Sequence, residues 1–380
     1  MGLKNKAGQG NLNSTPAKGE NGFMARKEYL LKQKHLGRRL LGVFPAQYPK
    51  EILWAMNLLP VEIWDPPLES SNANAHLQPY ICSVVKQGLE LILQGKADML
   101  EGFLFPHTCD SIQNLASIIN DYLNLEKPCF FFYHPKAPYH ACSRDYYLDQ
   151  MRLLITSLEK DFGPMDPAAL GQSVEQGRRL SGIIREIYDL RSKGELSASN
   201  VRFYEVIRQG EYLHPDDFIP LLEEFVHTHK GKAQKGMPVL LSGVLPNPPE
   251  ILEILDGIGA RVVNDDFLSC GRRLLVPSSP EKEPLDALAD SYFAMPPCTT
   301  KNTPLKERVD YLLEMAKTSG AKGVIFYMVK FCEPELFDVP RVVKALKAAE
   351  IATLVIDVEL NQGVSGQMAT RVEAFLEMIS

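Results

Sequence analysis

Short apolar runs alternate with amphipathic stretches along most of the chain, and this alternation predicts the fold class. Residues 39–44 (RLLGVF) read as a first strand, followed by a helix over about 49–59 and a second strand at 61–64. A helix is expected over 83–93, a strand at 103–105, and a strand at 129–133. Between the last two, Ile112, Leu115, Ile118 and Ile119 give a helical period. From residue 237 the pattern returns as a loose echo. A strand ends at Ser242-Gly243, and a helix over 249–258 is closed by Gly259 in the position after the last turn. Strands at 261–264, 323–329 and 352–358 follow, with helices over about 339–349 and 367–379. Strand–helix alternation of this kind implies parallel sheets joined by right-handed crossovers. Residues 143–229 differ: Tyr147, Met151, Leu154, Ile155 and Leu158, then Leu180, Ile183, Ile184, Ile187 and Leu190, keep only the helical period. The expected fold is α/β, with two Rossmann-like parallel-sheet units and a helical middle segment. The expected organisation is a polar leader and helix at 1–36, an N-terminal α/β domain at 37–142, a helical segment at 143–234 and a C-terminal α/β domain at 235–380.

Composition narrows the function classes. The 380 residues carry a net charge of −6, and 45% are hydrophobic, ample for a large core. Mild acidity and the lack of any long basic run argue against nucleic acid as a partner. No segment approaches the roughly 20 apolar residues of a membrane helix. The polar, Gly- and Asn-containing start lacks the apolar stretch of a signal peptide and reads as disordered to about residue 22. A cytoplasmic protein is expected. Seven cysteines, widely spread, do not look like a disulfide framework; in a reducing compartment, catalytic or metal-binding roles are the alternatives to spare thiols.

The candidate chemistry centres on FLFPHTCDSIQNL at 103–115. Asp110 and Ser111 are helix-capping types, so Cys109 falls at the carboxyl end of a strand and the amino end of a helix. A thiolate there meets unpaired N–H groups and the positive end of the helix dipole, on the sheet edge where α/β proteins bind ligands. The plain alternative is a buried Cys in a tight turn. Cys332 repeats this placement after an apolar strand, and Cys82 also stands just ahead of a helix. Three such cysteines could meet in the cleft between the two units and serve as soft ligands for an iron–sulfur cluster or zinc. They form no compact CxxC pattern. Cys129 reads as a mid-strand core residue, and Cys142, Cys270 and Cys298 as spare thiols in loops. His107 beside Cys109 and His76 upstream of Cys82 are either hydrogen-bonded loop residues or proton donors. Ser242-Gly243 and Asp265-Asp266 are ligand-edge positions or ordinary turns. The entry to the last helix, 363–367 with Arg371 beyond it, could hold an anion.

The ordered set of these pieces resembles the benzoyl-CoA reductase / 2-hydroxyacyl-CoA dehydratase D-component family. It comprises 42–60 (GVFPAQYPKEILWAMNLLP), Tyr80-Ile81-Cys82, 105–115 with Cys109-Asp110, and 259–266. It continues with Lys330-Phe331-Cys332-Glu333 and 366–375 with Thr370-Arg371. The resemblance spans about 38–380. It implies paired, related subunits, each holding a [4Fe–4S] cluster on three cysteines that fall here on Cys82, Cys109 and Cys332. It also implies an ATP-hydrolysing iron–sulfur activator as electron donor and an acyl-CoA substrate. Three thiolates on four irons leave one iron open. The wording around Cys109, and Ser83 after Cys82, look more like the small cluster-bearing subunits of benzoyl-CoA reductases, an anaerobic ring reduction. A dehydratase subunit is the alternative. A non-catalytic electron-relay partner and a zinc hydrolase are further readings. His107, His76 and Glu333 are the proton-donor candidates by proximity.

Overall fold

The structure is a computed structural model that describes residues 18–123, 125–231, 235–274 and 282–380, with side chains from residue 25 onward. Most of the expected leader therefore lies outside the described residues. Two four-stranded sheets, parallel throughout, form the framework. The first runs in the order β2-β1-β3-β4, made of Leu58–Glu62, Arg39–Val43, Gly102–Pro106 and Cys129–Phe132. The second repeats that order as β6-β5-β7-β8, made of Ala260–Phe267, Met237–Gly243, Gly323–Val329 and Ala352–Val358. The α/β expectation of two Rossmann-like units therefore holds. The central strands β3 and β7 are buried at every position, as parallel strands covered on both faces must be. The edge strands β4 and β8 each leave part of their length exposed.

Helix α1 (Lys18–His35) begins earlier than expected, and α2 (Lys50–Ala55) ends earlier. Asn57 takes up a left-handed conformation, φ 56°, which terminates α2 and passes Leu58 and Leu59 to the next strand. Pro60 is tolerated inside β2 because β2 is an edge strand with one side free of the ladder. In the N-terminal lobe α3 (Ser83–Leu93) and α4 (Asp110–Ser117) follow. The middle of the chain holds α5 (Ser143–Phe162), α6 (Pro167–Lys193), α7 (Asn200–Ile207) and α8 (Pro215–His229). Of these, α6 packs against both α2 and β6, so it bridges the lobes. Then come α9 (Glu250–Ile258), α10 (Gly271–Leu274), α11 (Pro284–Ala294), α12 (Leu305–Thr318), α13 (Glu333–Ala348) and α14 (Gly366–Ile379). β6 runs further than the apolar pattern implied and takes in Asp265, Asp266 and Phe267. α13 starts at Glu333 rather than near 339. Gly243 closes β5 at φ 145°, with the Tyr327 carbonyl oxygen filling the space a Cβ would need; no other residue fits there without displacing β7.

The largest core cluster draws on both lobes, from Phe44 and Phe105 to Tyr327 and Val358. Polar ties add to it. Arg273 donates two hydrogen bonds to Glu62, at 2.7 and 2.8 Å, and Gln87 donates to the Leu360 carbonyl at 3.0 Å. Among the described residues, no helix is long and apolar enough to cross a membrane.

Candidate functional site

In both sheets the order places a switch point between the first and third strands of the lobe, where crossovers leave in opposite directions. The carboxyl ends of β1 and β3 are drawn together there by Thr108. Its Oγ1 donates to the Pro45 carbonyl at 2.7 Å and accepts from the Ala46 N–H at 2.9 Å. Cys109 follows as the N-cap of α4. Cys332 is the N-cap of α13, the helix leaving the corresponding strand β7, and Cys82 is the N-cap of α3. Phe331 makes the turn into α13 with a left-handed backbone, φ 63°.

Each sulfur faces a helix opening. The N–H groups of Val84 and Val85 act on Cys82, those of Ser111 and Ile112 on Cys109, and that of Glu335 on Cys332. They favour a thiolate electrostatically without closing a formal capping hydrogen bond. Burial wins over them. It pushes the Cys82 thiol up to about 12, with the Cys109 charge adding to the rise. Burial also raises Cys109, and it raises Cys332 well above the usual thiol range, with Cys82, Glu335 and Cys109 contributing in that order. The three thiols thus lie within electrostatic reach of one another.

Among the described residues, no group of three or more His, Cys, Asp or Glu side chains is drawn together tightly enough to hold a metal ion. A single zinc needs sulfurs at about 2.3 Å, which brings its ligands almost into contact. A four-iron cube spreads its ligands over separate corners. Three soft thiols, separated but mutually coupled and each at a helix N-terminus, fit the larger group better than the single ion.

Around the sulfurs lie charges that the sequence pattern did not flag. Lys136, just after β4, donates to the carbonyls of His107 at 2.6 Å, Thr108 at 3.3 Å and Thr300 at 2.6 Å. Burial lowers its pKa to about 8, against the opposing pull of Cys109 and Cys298. Further in, Asp266 is bound by Arg272 and Arg308, which hold its carboxyl down to about 2 against the effect of burial. Arg272 also donates to Glu335 at 2.6 Å and lies 3.8 Å from the Cys298 sulfur. The signal for this network was the pairing of Asp265-Asp266 with Arg272-Arg273 across a short turn.

The remaining candidates separate. His107 is partly buried, its ring edge-on to Tyr133 at 5.5 Å; burial and Lys136 lower its pKa. His76 and Glu333 are exposed, the latter in the first turn of α13. Cys129 opens β4 and is only half-buried, not mid-strand. Cys142 is exposed ahead of α5. Cys270 and Cys298 are buried, not loose in loops. Ser242, Asp265 and Asp266 serve the interior rather than a ligand: Ser242 donates to Asp266 at 2.8 Å, and Tyr188 and Tyr204 donate to Asp265. Ser365 caps α14, and Arg371 donates to the Val355 carbonyl. A cavity of about 1190 Å³ opens at the carboxyl ends of β2, β5 and β8, lined by Trp64, Asp65, Arg208, Asn247 and Asn361 among others.

A doubly wound pair of lobes with sulfurs at the switch points defines a class, and comparison with known proteins identifies it. Residues 45–379 match the family model described as 2-hydroxyglutaryl-CoA dehydratase, D-component, and the chain belongs to that family. It is 27% identical to the (R)-phenyllactyl-CoA dehydratase beta subunit of Clostridium sporogenes, over 93% of this chain and 95% of that one. It is 26% identical to the beta subunit of the (R)-2-hydroxyglutaryl-CoA dehydratase of Acidaminococcus fermentans, over 93% and 96%. A subunit of the benzoyl-CoA reductase of Thauera aromatica is likewise 26% identical, over 84% of each chain. These relatives are named as subunits of dehydratases and of a reductase.

Proposed function

We propose that this chain is the iron–sulfur subunit of an ATP-activated, low-potential radical enzyme acting on acyl-CoA thioesters, with Cys82, Cys109 and Cys332 holding a [4Fe–4S] cluster. One observation carries the reading: three thiols from distant parts of the chain cap three helices and sense one another's charge. When bound, such a cluster supplies single electrons at potentials that reach roughly −700 mV. The chain's own task is to anchor and shield it. The helix openings stabilise thiolates, and Lys136 places a cation beside Cys109. His107, His76 and Glu333 are the proposed proton donors. The 1190 Å³ cavity is large enough to take much of a CoA thioester.

The wording around Cys109 favours the ring-reducing branch. The dehydratase branch is the second reading, favoured by the names of the relatives at 26–27% identity. A related D-component subunit and an ATP-hydrolysing iron–sulfur activator are the proposed partners, in the cytoplasm. Exposed Tyr80, Phe331, Leu336 and Phe337, on the segments that carry Cys82 and Cys332, support a covering partner. The test is iron and sulfide analysis of anaerobically prepared protein, with about four irons per chain expected. Cys109→Ala should lose them, and an unchanged iron content would refute the assignment. CoA-thioester binding by the isolated chain separates a substrate-bearing subunit from an electron relay.

A further inference from the structure

Several buried cations of this chain meet carboxylates. Arg273 and Lys50 share Glu62, Arg208 holds Asp65, and Arg272 and Arg308 hold Asp266. Arg272 also takes one oxygen of Glu335 at 2.6 Å, while the other, Oε2, is buried without a partner. Lys136 departs from this habit. All three of its N–H groups go to backbone carbonyls, of His107 at 2.6 Å, Thr108 at 3.3 Å and Thr300 at 2.6 Å. Three carbonyl oxygens repel one another, and an ammonium is the side-chain group whose three rotatable donors can gather them around one point.

The three oxygens come from both lobes. His107 and Thr108 form the turn that leads from β3 into Cys109. Inside its own lobe that turn is fastened by the His107 N–H, which donates to the Phe132 carbonyl at 2.8 Å, and by Thr108 Oγ1 on Pro45 and Ala46. Thr300 belongs to the short turn at Thr299–Lys301 between α11 and α12, in the connection from β6 to β7. Beside Lys136 the two segments meet twice more. The Ala137 N–H donates to the Lys301 carbonyl, and Asn302 Nδ2 donates to the Ala137 carbonyl, both at 2.8 Å. Those two bonds join the segments without the ammonium; what the ammonium adds is the link to the Cys109 turn. We propose, resting on the assignment of Cys109 as a cluster ligand, that Lys136 is a positioning residue that fixes the Cys109 turn against the C-terminal lobe. The place of that sulfur then depends on how the two lobes sit together. Lys301 supplies the contrast. It is a buried cation on the same turn, but it donates to the Tyr292 and Met295 carbonyls, within its own connection.

Two measurements on the full chain test this. The first is hydrogen exchange of the metal-free protein, read by mass spectrometry. Lys136→Met keeps the length of the side chain and drops the donors. Exchange should rise about tenfold, the scale of a lost hydrogen bond or two, over 105–112 as well as over 298–303. Lys301→Met should loosen 292–303 and leave 105–112 at the wild-type rate. A wild-type rate over 105–112 in Lys136→Met would overturn the proposal, as would equal loosening of 105–112 by Lys301→Met. The second measurement follows anaerobic reconstitution with ferrous iron and sulfide. Lys136→Met should take up about four irons but show an altered paramagnetic spectrum and a lower midpoint potential, because a fixed cation beside this turn favours the more negative, reduced cluster. Lys301→Met should keep the wild-type spectrum. An unchanged spectrum and potential in Lys136→Met would also overturn the proposal. Should Lys136→Met fail to fold, Lys136→Gln, which keeps two donors without the charge, takes its place in both comparisons. A wild type that takes up no iron overturns the cluster assignment instead, and hydrogen exchange then decides the positioning role by itself.

Discussion

The two lobes share one strand order but stabilise its carboxyl edge by different means. In the N-terminal lobe the support is aromatic: Phe44 and Phe105 stack at 5.1 Å, and Phe131 lies 5.9 Å from Phe105. In the C-terminal lobe it is ionic, with Asp266, Arg272, Arg308 and Glu335 all nearly inaccessible. The shared order puts Cys109 and Cys332 at equivalent places, each opening the helix after the third strand of its lobe. The connection from second to third strand carries a sulfur in both lobes as well. In the first it is Cys82, which joins the other two thiols. In the second there are two, the buried Cys270 and Cys298; Cys298 faces Arg272 and sits 3.0 Å from Thr300 Oγ1. Burial opposes its ionisation, but Arg272 and Arg308 prevail and its pKa falls. The same connection thus carries a thiol whose charge reaches Cys332 in one lobe and a thiol set in a charge network in the other.

That asymmetry should break first at the cysteines. Cys82→Ala and Cys332→Ala are expected to abolish iron uptake, whereas Cys298→Ala should retain about four irons per chain; iron analysis reads the difference. Next comes the tie between lobes. Arg273→Ala strips Glu62 of its bidentate partner and should cost about 3–5 kcal/mol of stability, measured by denaturant unfolding. A loss under about 1 kcal/mol, the size of an exposed pair, would mean that the lobes do not depend on this contact. Smaller again is the acid response. The Asp266 pKa is depressed in the folded state to about 2 from 3.8. Its contribution is therefore complete above about pH 4 and lost as the pH falls through about 2, a decline of about 2 kcal/mol. Asp266→Asn should flatten that part of the stability–pH curve. The smallest effect falls outside both lobes, where the Asp166 side chain accepts from the Ala168 N–H at the start of α6. Asp166→Ala should cost about 1 kcal/mol, seen as a small drop in Tm with the iron content unchanged.

Several elements were legible in the sequence because their signals are local. The strands at 323–329 and 352–358 and the helix at 83–93 stand where their apolar periods put them. The junction at 56–60 departs from the pattern because Leu58 and Leu59 continue the helical period, and only the turn at Asn57 separates them from α2. Asp265 and Asp266 looked like a strand end because carboxylates are rare in a buried strand; partners from α6, α7, α10 and α12 make them tenable there. Lys136 and Glu335 gave no signal for the same reason, since each takes its role from groups distant along the chain.

The order of residues alone was enough for the doubly wound class, for most of the strands and for the helix-start placement of Cys82, Cys109 and Cys332. Periodicity and capping depend on neighbours a few residues away. Which thiols come within electrostatic reach of one another, which carboxylates find arginines and which buried oxygen is left bare depended on how the elements packed. Those outcomes depend on groups such as Arg272 and Glu335, 63 residues apart, brought within 2.6 Å by the packing of separate elements.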